Sequence, residues 1–548
     1  MLIIYLSSQV PCQLCQVPFR IGRLRTQFEP RAAAWSADHD PAVVDLGHCA
    51  EYGCKLVFRH DYPEDSSATE ASEGRLLDEF EDIAPSGVDS EGEEISFDAY
   101  AQAQNKKPGR MRCSFGRTHN WEYYRDAYWA YFESRVPDGP KHPYRRPPGA
   151  RLFVEHVAGV NCMNSGRGFN GNAISAEEMR LCNTSQYLVE KGSEVHSLPE
   201  WTPEPDDEDF ERESRYFLSG LASKTAEVLE GDCTAYPERH GLHGEEMQPN
   251  ELDGFNNGDL IFHPHCLEIY KRVSALRLVS AELTHVPAFA DWWTSDGMIN
   301  SPPVHKSVGG GQWYEHDKAS EFVVANPLQI SALTAIFEAA RRPRGFDANE
   351  RSPFGVKDTT GTNKNNSDIF GKLPNELRDI VLSSLGPKDV ANLRSASRTF
   401  RHLPITLWRE LIEKEMPWIW EAWSDRPYPF ISCTTRSEFE AHDQAVKGRI
   451  QATQGLGDEE KTKQRDLIAR DERRFRESRA VQQLSRLETD WHYLYCRLSR
   501  EWKSIKGLQN RERIWKTIEY IVRRIADPDE DPISAKKAHE KAFPFRGP

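Results

Sequence analysis

Cys12 and Cys15 stand two residues apart near the start of the chain. That gap lets both thiolates reach one tetrahedral ion and form one corner of a zinc site. A second corner has to come from elsewhere. His48, Cys49 and Cys54 lie nearby, while His263 and Cys266 lie far along the chain. His263-x-x-Cys266 repeats the two-residue gap. The set proposed from spacing is therefore Cys12, Cys15, His263 and Cys266, with His48, Cys49 and Cys54 as alternative partners. A closed Cys₃His set would be structural, and it would tie the N-terminal segment to the middle of the chain. The plain alternative is a group of reduced, buried thiols.

Other residues with chemical potential give weaker patterns. Gly166-x-Gly168-x-x-Gly171 has the spacing of a dinucleotide fingerprint, flanked by Cys162 and Cys182. A polar stretch separates it from the strand-like run at 152–157, and Glu190 is the only acid at a suitable distance. A Gly/Asn-rich turn explains it more simply. No GxxxxGK[ST], HExxH, GxSxG or EF-hand loop is present. His156, His240 and His243 have no nucleophile at a recognisable offset, and isolated histidines of this kind read as surface or core residues. No enzyme activity is expected.

The elements that must position these residues follow from composition. A chain of 548 residues with 38% hydrophobic and 28% charged residues can build several cores, joined by solvated stretches. No run approaches the length of a membrane span, and MLIIYLSSQVPC makes a poor secretory leader, so an intracellular protein is expected, in the cytoplasm, the nucleus or both. Eleven cysteines in so long a chain do not make a disulfide scaffold. Residues 61–100 carry fourteen acids against one base, Arg75, and supply most of the net charge of −15. Residues 445–526 carry a basic excess. It is small, and the tryptophans fall on an apolar stripe, so burial in helices is preferred over nucleic-acid binding.

The divisions read from this are a Cys/His-bearing segment at 1–60 and an acidic, disordered linker at 61–110. An α+β middle domain at 111–345 and a polar linker at 346–367 come next, then a helical unit at 368–415 and a helical region at 416–548. The run at 152–157 reads as a strand, and 174–182 and 327–342 read as helices. In 487–525, Trp491, Leu494, Tyr495 and Leu498 share one helical face, and a break near Gly507 precedes Ile514, Ile518 and Ile521.

Between Ile369 and Glu415 three short helices are expected, opened by Pro374, Pro387 and Pro404. The residues Leu373, Pro374, Glu376, Leu377, Ile380, Val381, Leu385, Pro387, Asp389, Val390, Leu393, Arg394, Ser397, Arg398 and Phe400 follow one pattern throughout. This segment resembles the F-box. The resemblance implies a helix-packing surface, made by Leu373, Pro374, Leu377, Ile380, Val381, Leu385 and Leu393, that docks on a Skp-type adaptor of a cullin-based ubiquitin ligase. The rest of the chain would then select an unknown protein substrate, with 111–345 as its reader. The competing role is an F-box scaffold outside a ligase. More loosely, Cys12-x-x-Cys15, Phe262-His263-x-x-Cys266 and the run at 201–210 resemble large F-box proteins of filamentous fungi, which implies no activity. The fold class expected is α+β: a mixed N-terminal and middle part with a structural zinc, then a three-helix F-box and a helical C-terminal region.

Overall fold

The computed structural model describes residues 11–30, 33–34, 49–61, 93–95, 151–163, 168–192, 201–223, 242–243, 260–278, 285–297, 302, 319–341, 368–426, 428, 436–453, 457–470 and 484–530, with short breaks inside several stretches. The strands, in chain order, are β1 (Arg23–Leu24), β2 (Lys55–Asp61), β3 (Glu93–Ile95), β4 (Arg151–Val157), β5 (Phe169–Asn170), β6 (Thr184–Glu190), β7 (Tyr216–Leu218), β8 (Leu221–Ser223), β9 (Leu242–His243) and β10 (Leu260–Phe262). The helices are α1 (Asp209–Glu213), α2 (Pro264–Arg277), α3 (His285–Trp292), α4 (Ser331–Ala340), α5 (Asn375–Ser383), α6 (Pro387–Ala396), α7 (Ile405–Glu415), α8 (Arg436–Ala452), α9 (Trp491–Glu501) and α10 (Lys506–Ala526).

Three small sheets result. β2 lies between β3 and β4, antiparallel to both. β6 pairs with β7, β8 and β10, and β9 extends the sheet alongside β8. β1 runs parallel to β5. The strand expected at 152–157 is β4. Within the acidic span 61–110, residues 93–95 form β3, and most of that span, like the linker at 346–367, lies outside the described residues.

The helix expected at 174–182 is a series of turns. Glu178 takes its carboxylate back to the amide and hydroxyl of Ser175, and Leu181 has a left-handed φ of 66°. Local side-chain bonds and a left-handed residue end the helix before it can propagate. The helix expected at 327–342 starts only at Ser331, because the amides of Leu328 and Gln329 donate to the side chain of Asn326.

α2 and α10 are the central helices. α2 follows β10 through His263, with Pro264 in its first turn, and is buried from Pro264 to Ser274. Its buried charges are paired, since Glu268 accepts from Lys271 at 2.9 Å and Arg272 at 3.0 Å. Burial alone would raise the Glu268 carboxyl; the charges of Lys271, Arg272 and Arg426 outweigh it and lower it to about 2.

α10 packs against α2 and α3 with Ile514, Trp515, Ile518 and Ile521 inside. Its buried Arg511 donates to Glu421, Tyr428 and the carbonyls of Pro327 and Leu328, and lies 3.9 Å from the centre of the Trp420 ring. The break expected near Gly507 is the 3-10 turn Trp502–Ser504 and Ile505, just before α10. Gly507 itself serves packing: a Cβ there would meet the Asn326 carbonyl oxygen at 2.7 Å.

One buried apolar cluster runs from Cys12 to Val522 and draws on the N-terminal segment, the middle part, helices α5–α7 and α10. The boundaries read from composition therefore do not divide the core. A second, small cluster of Cys49, Cys54, Ala158 and Cys162 lies apart from it. No helix among the described residues is long and apolar enough to cross a membrane.

Candidate functional site

Residues 11–18 form a tight hairpin. Pro11 bridges Pro18, the Cys12 amide donates to the Val17 carbonyl at 2.9 Å, and Gln16 sits at φ 64°. A left-handed residue just after Cys15 turns the chain so that both thiols point the same way. The hairpin docks on β10, where the Gln13 amide donates to the Ile261 carbonyl at 3.0 Å and the Gln13 side chain accepts from the Ile261 amide at 2.9 Å. That register delivers the next residues, His263 and Cys266 in the cap and first turn of α2, onto the same thiols.

The structure thus brings Cys12, Cys15, His263 and Cys266 together, all buried, with their ligand atoms within 4.8 Å of one another. Cys15 Sγ lies 3.4 Å from His263 Nδ1, and Cys266 Sγ lies 3.9 Å from it. Ligands of one tetrahedral zinc stand about 3.3–3.8 Å apart. Nε2 of His263 faces the Cys182 carbonyl at 2.8 Å, so Nε2 carries the proton and the Nδ1 lone pair is left for the cluster.

Electrostatics favour an anion-rich centre that takes a cation. Burial opposes ionisation of Cys15. Hydrogen bonds from Cys12 and Cys266 and the charge of His263 outweigh it and hold its thiol well below the ordinary range. His263 is raised to about 10: burial pulls it down, and the charges of Cys12 and Cys15 overcome that. A metal ion would supply the positive charge that the imidazolium otherwise provides. Buried Arg513 stands alongside and donates to the Cys15 carbonyl at 2.8 Å and to Asn510, both neutral acceptors. Three thiolates and one imidazole around a divalent ion carry one net negative charge, which this guanidinium would balance.

A second group was only half legible. Cys49, Cys54, His156 and Cys162 are all buried, with ligand atoms within 4.8 Å of one another. The pairing of Lys55 with Val157 sets the end of β4 beside the start of β2, so the two flanking loops meet there. Cys49 and Cys54 had been named from sequence with His48, which lies outside the described residues. His156, set aside as an isolated histidine, faces Cys162 Sγ through Nε2 at 3.9 Å. Burial pushes Cys54 up to about 12 and His156 down to about 4. Either cluster could hold a metal ion.

Of the Gly166-x-Gly168-x-x-Gly171 run, Gly166 lies outside the described residues, and Gly168 and Gly171 serve packing. Gly168 passes the backbone of Gly22 so closely that a Cβ would come within 2.7 Å of it, and Gly171 lies against Thr26 and Glu29. These glycines let β5 approach β1.

The residues read from sequence as a partner surface lie on and beside α5 and α6, with Leu373 and Pro374 just before α5 and Leu385 between the two helices. Leu377 and Ile380 are 47% and 61% exposed. Pro374 is exposed, and Leu373, Val381, Leu385 and Leu393 are half-buried. Their neighbours Leu382, Val390 and Phe400 are buried and join the main core. Ile369, in the turn before α5, is 76% exposed and was missed from sequence because it precedes the helical repeat. Asp368 closes the unit. It accepts from Ser397 Oγ at 2.6 Å, from the Thr399 amide at 3.0 Å and from the Phe370 amide at 3.1 Å. Phe370 meets Phe400 edge-on at 5.2 Å.

Residues 370–405 match the family model of the F-box domain. Comparison with curated proteins and with solved structures found no match. The looser likeness to fungal F-box proteins gains no support there.

Proposed function

We propose that this chain is a substrate-recruiting subunit of a Skp–cullin–F-box ubiquitin ligase. The observation that carries this reading is the F-box match at 370–405, with Leu377 and Ile380 left outside the core on one face of α5. Apolar groups set side by side in water mark an interaction surface. Leu373, Pro374, Val381, Leu385 and Leu393 border that face and would complete contact with a Skp-type adaptor.

The chain itself would carry no catalysis. Its metal would be a structural zinc held by Cys12, Cys15, His263 and Cys266, and it would act in the cytoplasm or nucleus. The substrate reader would lie in 111–345, where Val160 and Met163 are exposed. Because α2 and β10 share the core with α10 and with the 11–18 hairpin, a test of this reader requires surface substitutions rather than deletion of the segment.

The deciding experiment is a pull-down with purified Skp-type adaptor. Changing Leu373 and Pro374 together to Ala should abolish capture while the circular dichroism spectrum stays unchanged. Retained capture would remove the adaptor reading. Adaptor bound without cullin would favour an F-box scaffold outside a ligase.

A further inference from the structure

At the β2–β4 end a small buried group stands out among the described residues. The buried group there consists of Cys49, Cys54, Cys162 and Ala158, apart from the main core. Val57 and Val157 are buried on the two strands beside it, and small units of this kind gain further stability from metals or cross-links. The loops that carry the thiols are held in unusual backbone. Gly53, just before Cys54, has φ 68°, and Asn161, just before Cys162, also has φ 68°. Gly159 passes so close to the facing loop that a Cβ would lie 2.0 Å from the Tyr52 carbonyl oxygen. The Gly159 amide donates to Cys54 Sγ at 3.3 Å, a bond that favours the thiolate.

We propose that Cys49, Cys54, His156 and Cys162 form a second structural zinc site, independent of the first. All four donors are soft thiols or imidazole, the set zinc prefers. With four protein ligands it has no open position, so it would clamp loops 49–54 and 156–162 rather than perform chemistry. Binding releases the thiol protons to solvent as three thiolates and one neutral imidazole close on the ion.

The test is the zinc content of the purified full chain, equilibrated with zinc alone and desalted. The wild type should hold two zinc ions per chain, and Cys162→Ser and Cys15→Ser should each hold one. An unchanged content in Cys162→Ser overturns the proposal. An unchanged content in Cys15→Ser overturns the first site and leaves this one standing. His156→Cys, which restores four ligands, should keep two ions, whereas His156→Ala should keep one. Should Cys162→Ser fail to fold, cobalt(II) replaces zinc in the wild type and in Cys15→Ser. Two tetrahedral thiolate-bound cobalt ions in the wild type support the proposal, and a single one that is lost in Cys15→Ser overturns it. A disulfide between any two of these cysteines in freshly purified protein also overturns it.

Discussion

His263 presents Nε2 to the carbonyl oxygen of Cys182 at 2.8 Å, while its Nδ1 lies 3.4 Å from Cys15 Sγ. The carbonyl is aimed by Leu181, whose φ of 66° turns the chain just before it. One hydrogen bond thus settles both the tautomer and the ring plane. His263→Cys keeps four ligands but loses this bond, and should weaken zinc about 10–100-fold. His263→Ala should weaken it further. Competition against a chromophoric chelator measures both; an undiminished affinity in His263→Cys would show that the Cys182 bond contributes nothing.

The Arg511–Glu421 pair, at 3.0 Å, is buried on both sides. Glu421→Gln leaves the guanidinium buried without a counter-charge and should cost about 3–5 kcal/mol. Urea denaturation should show a lower midpoint with an unchanged slope. A midpoint at the wild-type value would mean that Tyr428 and the carbonyls of Pro327 and Leu328 suffice.

Two positions on α5, two residues apart, should separate binding from stability. Ile380→Ser alters an exposed side chain and should shift stability by less than about 0.5 kcal/mol while weakening adaptor capture. Leu382→Ala opens the core and should cost about 2–5 kcal/mol. The comparison needs only a melting curve and a pull-down for each. Equal melting losses would contradict the two-faced helix.

Hydrogen bonds from Ser397 and Thr399 hold the Asp368 carboxyl well below the usual aspartate range. A depressed carboxyl stabilises the fold above its unfolded value, near 3.8, and that contribution disappears as pH falls through the lower folded value. Asp368→Asn should therefore lower the melting temperature at neutral pH, and the gap from wild type should narrow as the medium is acidified. A gap independent of pH would point to lost hydrogen-bond geometry rather than lost charge.

The two thiol clusters were unequally legible in the sequence, for a physical reason. Cys12-x-x-Cys15 and His263-x-x-Cys266 each have a spacing that one turn can explain, so the pairs are visible without knowing the fold. Cys49 and Cys54 are joined to His156 and Cys162 only by the register of β2 on β4, which places Lys55 opposite Val157. That register is a tertiary fact. The proline-punctuated helices at 375–415 were readable because their boundaries are set locally. The turns at 174–182 were misread because apolar spacing there competes with the Ser175–Glu178 bonds.

Cys15 and the His263 ring that faces it are 248 residues apart in the chain. A ribosome adding about 5–20 residues per second would need roughly 12–50 seconds to make the second half of the centre after the first. The carbonyl of Cys15 waits about as long again for Arg513, 498 residues away. During synthesis the hairpin at 11–18 therefore has neither its imidazole nor its cation, and Cys12 and Cys15 are accessible to oxidants and to passing metal ions. The nascent chain is most vulnerable in this interval, and the availability of zinc or a thiol reductant then should govern how much protein reaches the native state.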